Sequence, residues 1–255
     1  MRRYRLVVQY DGTEYCGFQV QPNDPSIQGV LESVLGVLSR QPVKVVGAGR
    51  TDSGVHAEGQ VVHFDASLTI PIQRLPMALN SMLPRDVRVR YADIPDPDFH
   101  ARYGALEKMY CYQIWQAPYA DVFWRRYALW ENKRLDWNAF QEGAAQLKGT
   151  HDFAAFAAAG GSVKSTIRTL KELRVQHQGP LTKFFLTGDG FLYNMVRNIT
   201  GTLLEIAQGR RPVQDVGPIL ASGERRLAGV TAPAHGLVLV RVVYPDLRSD
   251  LTEGE

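Results

Sequence analysis

The 255-residue chain has only two cysteines, Cys16 and Cys111, far apart and outside any C-x-x-C pattern. That usage excludes a disulfide framework and a cysteine-ligated zinc site. No apolar run approaches the roughly 18 to 20 residues that a membrane-spanning helix needs. The six histidines show no H-x-x-x-H or similar ligand spacing, which argues against metal catalysis. There is no G-x-x-x-x-G-K-[ST] loop and no G-x-G-x-x-G after a strand, so neither nucleoside triphosphate nor dinucleotide use is expected. Met1-Arg2-Arg3 runs straight into a strand-like segment, leaving no room for a signal peptide. A cytoplasmic protein without membrane association is the expectation.

What the chain does have is ample core material, with 45% hydrophobic residues. Its net charge of +3 is unevenly spread: residues 246–255 carry four acids and one arginine, whereas residues 164–211 hold eight basic and three acidic residues. Arginine outnumbers lysine 22 to 7. The planar guanidinium suits phosphate and base edges, although a GC-rich genome produces the same bias. Charge alone thus leaves nucleic-acid binding open.

Along the chain, Tyr4 to Tyr10 reads as a strand ended by Asp11-Gly12. Ser26 is placed to cap a helix whose apolar face is Ile27, Val30, Leu31, Val34, Leu35 and Leu38. Strands follow at Val43–Val46 and Gln60–Phe64, a helix at Gln73–Leu83 and a strand at Val87–Ala92. Asp93 to Pro97, with two prolines, reads as a linker. The second half repeats the scheme: a strand at Tyr110–Trp115, a helix capped by Asp136, and a hairpin of Ile167–His177 and Leu181–Gly188 around Gly179-Pro180. A long helix then aligns Leu192, Met195, Val196, Ile199, Leu203 and Ile206, followed by a short helix at Val213–Ala221 and a strand at Leu237–Val243. Each half has the split β-α-β pattern of ferredoxin-like folds. The fold class expected is α+β: two ferredoxin-like-derived domains, each an antiparallel sheet with helices on one face. The domains are placed at 1–94 and 95–245, with an acidic, disordered tail at 246–255.

The densest chemistry lies in Gly47 to Ala57, GAGRTDSGVHA. Its glycines permit tight turns and close approach of a ligand. A carboxylate such as Asp52, near the guanidinium of Arg50, is held ionised and can serve as nucleophile or base. An R-x-D between glycines is, however, more often a surface turn with an ordinary ion pair. Tyr110 and Tyr112 alternate on a strand behind Lys108 and fit either a sheet face or a platform for a base. Arg197 borders the apolar stripe of the long helix, where a solvent-facing arginine is the ordinary case.

Joined in order, these segments carry more than they do separately. YDGTEYCGFQVQ, SIQGVLE, GAGRTDSGVHAEGQVVHF, FHARYGALEKMYCY, HDFAAF, GFLYNMVRNITGTLLEIAQGR and TAPAHGLVLVRVVY run from Tyr10 to Tyr244. On these segments the chain resembles the tRNA pseudouridine synthase A family, which isomerises uridines in the anticodon stem-loop at positions thirty-eight to forty. It departs from the family at Ser53, where alanine is commoner, and at Gly104, where serine is more usual. The resemblance implies that Asp52 is the essential aspartate and that Arg50 helps extrude the target base. It implies that Tyr110 stacks on the uracil and that Arg197 pairs with the aspartate across a cleft between the domains. By the same resemblance Thr51, Gly54, His56, Phe191, Leu192 and Met195 bind substrate. It further implies a homodimer that holds tRNA in a basic cleft and uses no cofactor and no metal. Whether Asp52 attacks C1′, attacks C6 or removes the C2′ proton stays open.

Two other functions fit parts of the pattern. An inert RNA-binding module shares the scaffold, but a carboxylate at the centre of an RNA cleft weakens binding unless it performs chemistry. A glycosidase needs a second carboxylate near the first, and the sequence offers no obvious one.

Overall fold

A computed structural model describes residues 1–160 and 164–247. In chain order its elements are β1 (Arg2–Tyr10), α1 (Ile27–Ser39), β2 (Val46–Gly47), β3 (His56–Ala66), α2 (Leu75–Asn80), β4 (Val87–Asp93) and β5 (Glu107–Gln116). They continue with β6 (Leu129–Glu131), α3 (Trp137–Ala145), β7 (Gly149–Asp152), β8 (Ile167–Gln178), β9 (Leu181–Gly188), α4 (Met195–Ala207), α5 (Val216–Ser222) and β10 (Leu237–Val243). The mixed α and β composition agrees with the class read from the sequence. None of the described helices is long and apolar enough to cross a membrane.

The chain divides into two compact units, Met1–Lys108 with the chain end from Val238, and Met109–Leu237. This division differs from 1–94 and 95–245: residues 95–108 and the last strand fall in the first unit. The first two residues of the expected disordered tail make ordered contacts. Asp246 is ion-paired and Leu247 is buried, and the rest of the tail, from residue 248, lies outside the described residues.

In the first unit the strand order is β4-β1-β3-β10, with β2 on β3. β1 runs antiparallel to β3, with Leu6 opposite Val62, and antiparallel to β4, with Val7 opposite Tyr91. β10 departs from the all-antiparallel expectation: it joins β3 in parallel through Val238↔His56 and Leu239↔Ala57. β1 is a central strand, so Leu6, Val7 and Val8 are fully buried. α1 starts as expected, with Ser26 Oγ accepting from the Gly29 amide at 3.2 Å. It buries Ile27, Leu31, Val34 and Leu35 and ends at Arg40 in the left-handed region, φ 56°.

Arg5 projects from β1 and is buried. Its Nε donates to Asp93 Oδ1 at 2.9 Å and its Nη1 to Asp246 at 2.9 Å, with the guanidinium 4.8 Å from the Phe99 ring centre. A buried guanidinium is tolerated because two carboxylates and an aromatic face replace its water.

His63 on β3 sits 4.8 Å from the His100 ring, and its Nδ1 accepts from the Ala101 amide at 3.1 Å. Burial, then the nearby His100 and Arg3, hold its pKa down to about 4, with Asp65 opposing. The unfolded value is about 6.5. Stability from neutral His63 is therefore fully present above that value and is lost as pH falls toward 4. His63→Gln keeps an acceptor for Ala101, so its unfolding temperature is expected to fall less than wild type between pH 7 and about pH 4.5. Equal acid sensitivity in melts of the two proteins would remove His63 from this account.

The second unit has the strand order β5-β9-β8-β7, with β6 on β5. β8 and β9 form the expected antiparallel hairpin, and β7 adds to β8 through His151↔Arg168. β6 joins β5 in parallel. α3 is capped by Asp136, whose carboxylate accepts from the Asn138 and Ala139 amides. α4 is buried along nearly its whole length. Its polar residues are satisfied internally: Thr200 and Thr202 donate to carbonyls one turn back, and Asn198 donates to Phe156 O at 2.8 Å.

Candidate active site

The Asp52 segment belongs to the first unit and links β2 to β3. It is held by the loop that follows β1. Phe18 N donates to Thr51 O at 3.0 Å, Gly54 N donates to Tyr15 O at 3.4 Å, and Ser53 Oγ donates to the same carbonyl at 3.2 Å. Gly17 has φ +101°, and a Cβ there would lie 2.7 Å from Thr51 O and 3.2 Å from Asp52 C. Gly12 lies closer still: a Cβ would come 2.0 Å from Val55 O. The two loops are in backbone contact on both sides of Asp52, and the glycines make that approach possible. Val55 N closes a turn onto Asp52 O at 3.1 Å.

Side chains complete the hold. Tyr10 hydroxyl and Thr51 Oγ1 share a 2.8 Å hydrogen bond, and Gln60 Nε2 donates to Gly49 O at 2.9 Å. Burial pushes the Tyr10 phenol up to about 12, so it stays neutral and serves as a fixed hydrogen-bond partner. Lys108 Nζ donates to Ala48 O at 2.7 Å. His56 is buried, and its Nδ1 accepts from the Gly12 amide at 3.1 Å and lies 3.1 Å from Asp11 Oδ1. The structure therefore groups Arg50, Thr51, Asp52, Gly54 and His56 on one restrained segment. Arg50 is exposed, Asp52 is half-buried, and Thr51 and His56 face inward.

The second unit carries the other expected residues. Tyr110 on β5 packs edge-to-face on Phe191, with ring centres 5.0 Å apart. Two residues along, Tyr112 donates its hydroxyl to Pro233 O at 2.9 Å, and burial raises its pKa against the opposing charge of Arg197. Leu192 and Met195 are buried in the turn that enters α4, where the Leu192 amide reaches Met195 Sδ at 3.5 Å. α4 begins at Met195 rather than near Leu192. Asn194, with φ 59°, turns the chain into the helix and accepts from Arg197 Nη1 at 2.9 Å. Arg197 Nε donates to Ala232 O at 2.7 Å, and the Ala232 amide returns a bond to Arg197 O at 3.1 Å. Arg197 is thus a fixed, half-buried cation near a helix N-terminus, not a solvent-facing side chain.

Reading the sequence missed the residues that hold these groups: Tyr10, Asp11, Gly12, Gly17, Gln60, Asn194 and Ala232. The two glycines of the first loop were the available signal for a close backbone approach. Among the described residues, no group of three or more His, Cys, Asp or Glu side chains is placed to hold a metal ion.

A model of the family described as tRNA pseudouridine synthase matches residues 6–104 and 144–245. The tRNA pseudouridine synthase A of Halalkalibacterium halodurans is 48% identical over 257 residues, covering 100% of this chain and 95% of its own. That of Geobacillus kaustophilus is 46% identical, covering 96% of this chain and 95% of its own. That of Bacillus subtilis is 45% identical, covering 95% of this chain and 99% of its own. The family match spans the segments that carry Asp52 and Arg197, and the relatives align over nearly the whole length. The chain belongs to the tRNA pseudouridine synthase family.

Proposed function

We propose that this chain isomerises uridine to pseudouridine in the anticodon stem-loop of tRNA, at positions thirty-eight to forty, as a cytoplasmic homodimer. The observation that carries the reading is the restraint on Asp52: its backbone is locked from both sides while the residue stays half-buried. Catalytic groups gain from such preorganisation, since a displacement of about 1 Å costs about 10²-fold in rate.

The reaction breaks the bond between C1′ and N1, turns the uracil and joins C1′ to C5. The C5 proton leaves and N1 gains one, so no oxidant, reductant or transferred group is needed. The nucleotide first leaves its stack, at a cost of a few kcal/mol. Arg50, exposed beside Asp52, is suited to occupy the vacated space or bind phosphate. Asp52 supplies the nucleophilic or basic oxygen. Tyr110, steadied by Phe191, offers a ring face to the uracil, and Arg197 supplies a fixed positive charge. Thr51, Gly54 and His56 act through the shape of the loop. Phe191, Leu192 and Met195 form the apolar support of the base site.

The direct test is incubation of purified protein with unmodified tRNA transcripts, followed by mapping of pseudouridine. Product confined to the anticodon stem-loop is expected, and absence of product ends the reading. Tyr110 is tested separately by single-turnover release of tritium from C5-labelled uridine. Tyr110→Leu removes the stacking face and is expected to weaken both tRNA binding and rate. Tyr110→Phe is expected to keep the dissociation constant and lose roughly 10²-fold in rate, the scale of a missing proton-transfer group. A Phe variant at wild-type rate would reduce Tyr110 to a platform, and a Leu variant at wild-type rate would remove it from the site.

A further inference from the structure

The second unit displays exposed apolar side chains to which the reading above assigns no role. Between β5 and β6 the chain exposes Tyr119 at 80%, Val122 at 66% and Phe123 at 82%, and β6 adds Trp130 at 42%. These residues lie within one stretch of 12 residues, from Tyr119 to Trp130. Trp115 stacks on Trp124 with ring centres 6.1 Å apart, and Trp115 is the register partner of Trp130. Trp130 Nε1 donates to Ala117 O at 3.0 Å, closing the base of the loop.

The loop is well ordered by its own bonds. Asp121 Oδ1 accepts from the Phe123 and Trp124 amides, the Tyr127 and Ala128 amides both reach Trp124 O, and Gln113 Nε2 reaches Tyr127 O at 2.8 Å. Exposed aromatic rings on an ordered loop lose little entropy on binding a partner. An exposed apolar cluster of this kind marks an interaction site.

Charge identifies the partner. The same stretch carries Arg125, Arg126, Lys133 and Arg134, all exposed. Its two acids are engaged within the fold: Asp121 as above, and Glu131 by the Lys133 amide and Gln208 Nε2. The surface therefore presents flat rings among cations. A second copy docking here by two-fold symmetry would bring the same cations together, which is unfavourable. Anionic backbone with stackable bases is the complementary chemistry.

We propose that the loop between β5 and β6 is an RNA-docking platform in which Tyr119 and Phe123 stack on bases and Arg125, Lys133 and Arg134 meet phosphates. The inference rests on the tRNA reading above and extends it to RNA contacts made by the second unit.

The test uses full-length protein and unmodified tRNA. Tyr119→Ala and Phe123→Ala, singly and together, are measured for dissociation constant, single-turnover rate at saturating RNA, melting temperature and sedimentation. Each substitution is expected to weaken binding by about 5- to 150-fold, the range for one lost base stack. The saturated rate, melting temperature and sedimentation should stay at wild-type values. Arg125→Gln with Lys133→Gln and Arg134→Gln should lower the salt dependence of log Kd by roughly two. Unchanged tRNA binding in the double variant overturns the proposal. A change in sedimentation with binding per assembly preserved also overturns it, because the occupant is then a second copy. Wild-type protein that forms no pseudouridine fails the tRNA reading itself, which separates that outcome from a failure of the platform.

Discussion

Asp52→Asn protein is expected to bind tRNA with near wild-type affinity and to form no measurable pseudouridine. The amide matches the carboxylate in size, so the turn closed by Val55 N on Asp52 O, a backbone contact, is untouched. Gly12, Gly17 and Phe18 approach this segment at backbone atoms. What disappears is the charge and the nucleophilic or basic oxygen. Loss of the reacting group of an enzyme costs on the order of 10⁴-fold or more in turnover, whichever of C1′, C6 or the C2′ proton it addresses. The measurement is pseudouridine formed per enzyme over hours, beside a filter-binding constant, with mass spectrometry to exclude reversion to aspartate. Multiple turnover by verified Asn protein would sink the assignment. Loss of binding in parallel with activity would show that Asp52 supports the fold of the loop instead.

Gly12→Ala should damage the protein more than any other single methyl group considered. Its Cβ would lie 2.0 Å from Val55 O and 2.7 Å from the carbonyl carbon, and both are backbone atoms that no side-chain rotation can move aside. Either the turn after β1 or the segment from Asp52 to His56 must shift, and the bond from the Gly12 amide to His56 Nδ1 shifts with it. Overpacking of this kind costs about 1 to 3 kcal/mol or more, about 2 to 12 °C of melting temperature for a chain of this size. The displaced loop also misplaces Asp52, so a rate loss of roughly 10²-fold is expected in addition. Gly217→Ala on α5 is the matched control. Its Cβ meets nothing closer than Gln146 Oε1 at 3.8 Å, and alanine suits a helix better by about 1 kcal/mol. Thermal melts and single-turnover rates of the two variants decide the matter: a Gly12→Ala protein that matches wild type in both removes the inter-loop contact from the account.

The parts of the structure legible in the sequence are those whose signals are local. Ser26 before an apolar stripe announces α1, Asp136 announces α3, and Gly179-Pro180 between β-prone runs announces the β8–β9 hairpin. The parts that escaped depend on partners distant in the chain. Val43 to Val46 looks like a strand, yet only Val46 and Gly47 pair, because β3 determines where pairing is available. β6 and β7, LWE and GTHD, are too short to show alternation. The helix expected over Gln73–Leu83 shrinks to Leu75–Asn80, with a proline in its first turn. At the site, Asp52 stood out through the density of glycine and charge around it. The glycines at 12 and 17 read only as a polar loop, since nothing nearby in sequence shows the backbone they approach. Arg197 looked like a surface residue because its partner Ala232 comes from a loop with no charge signal of its own.

The salt bridge between Arg5 and Asp246 joins positions 241 residues apart. At about 5 to 20 residues per second, some 12 to 48 s of translation separate the two. For that interval the first unit lacks the parallel neighbour of β3, and the Arg5 guanidinium lacks one of its two carboxylates. The unit that carries Asp52 therefore reaches its final form only after the entire second unit has been made. A nascent chain halted before β10 would hold the whole Asp52 loop on a sheet with an open edge, a form prone to pairing with other unfinished chains. Emergence of β10 and Asp246, and not emergence of the Asp52 loop, is the event that completes the first unit.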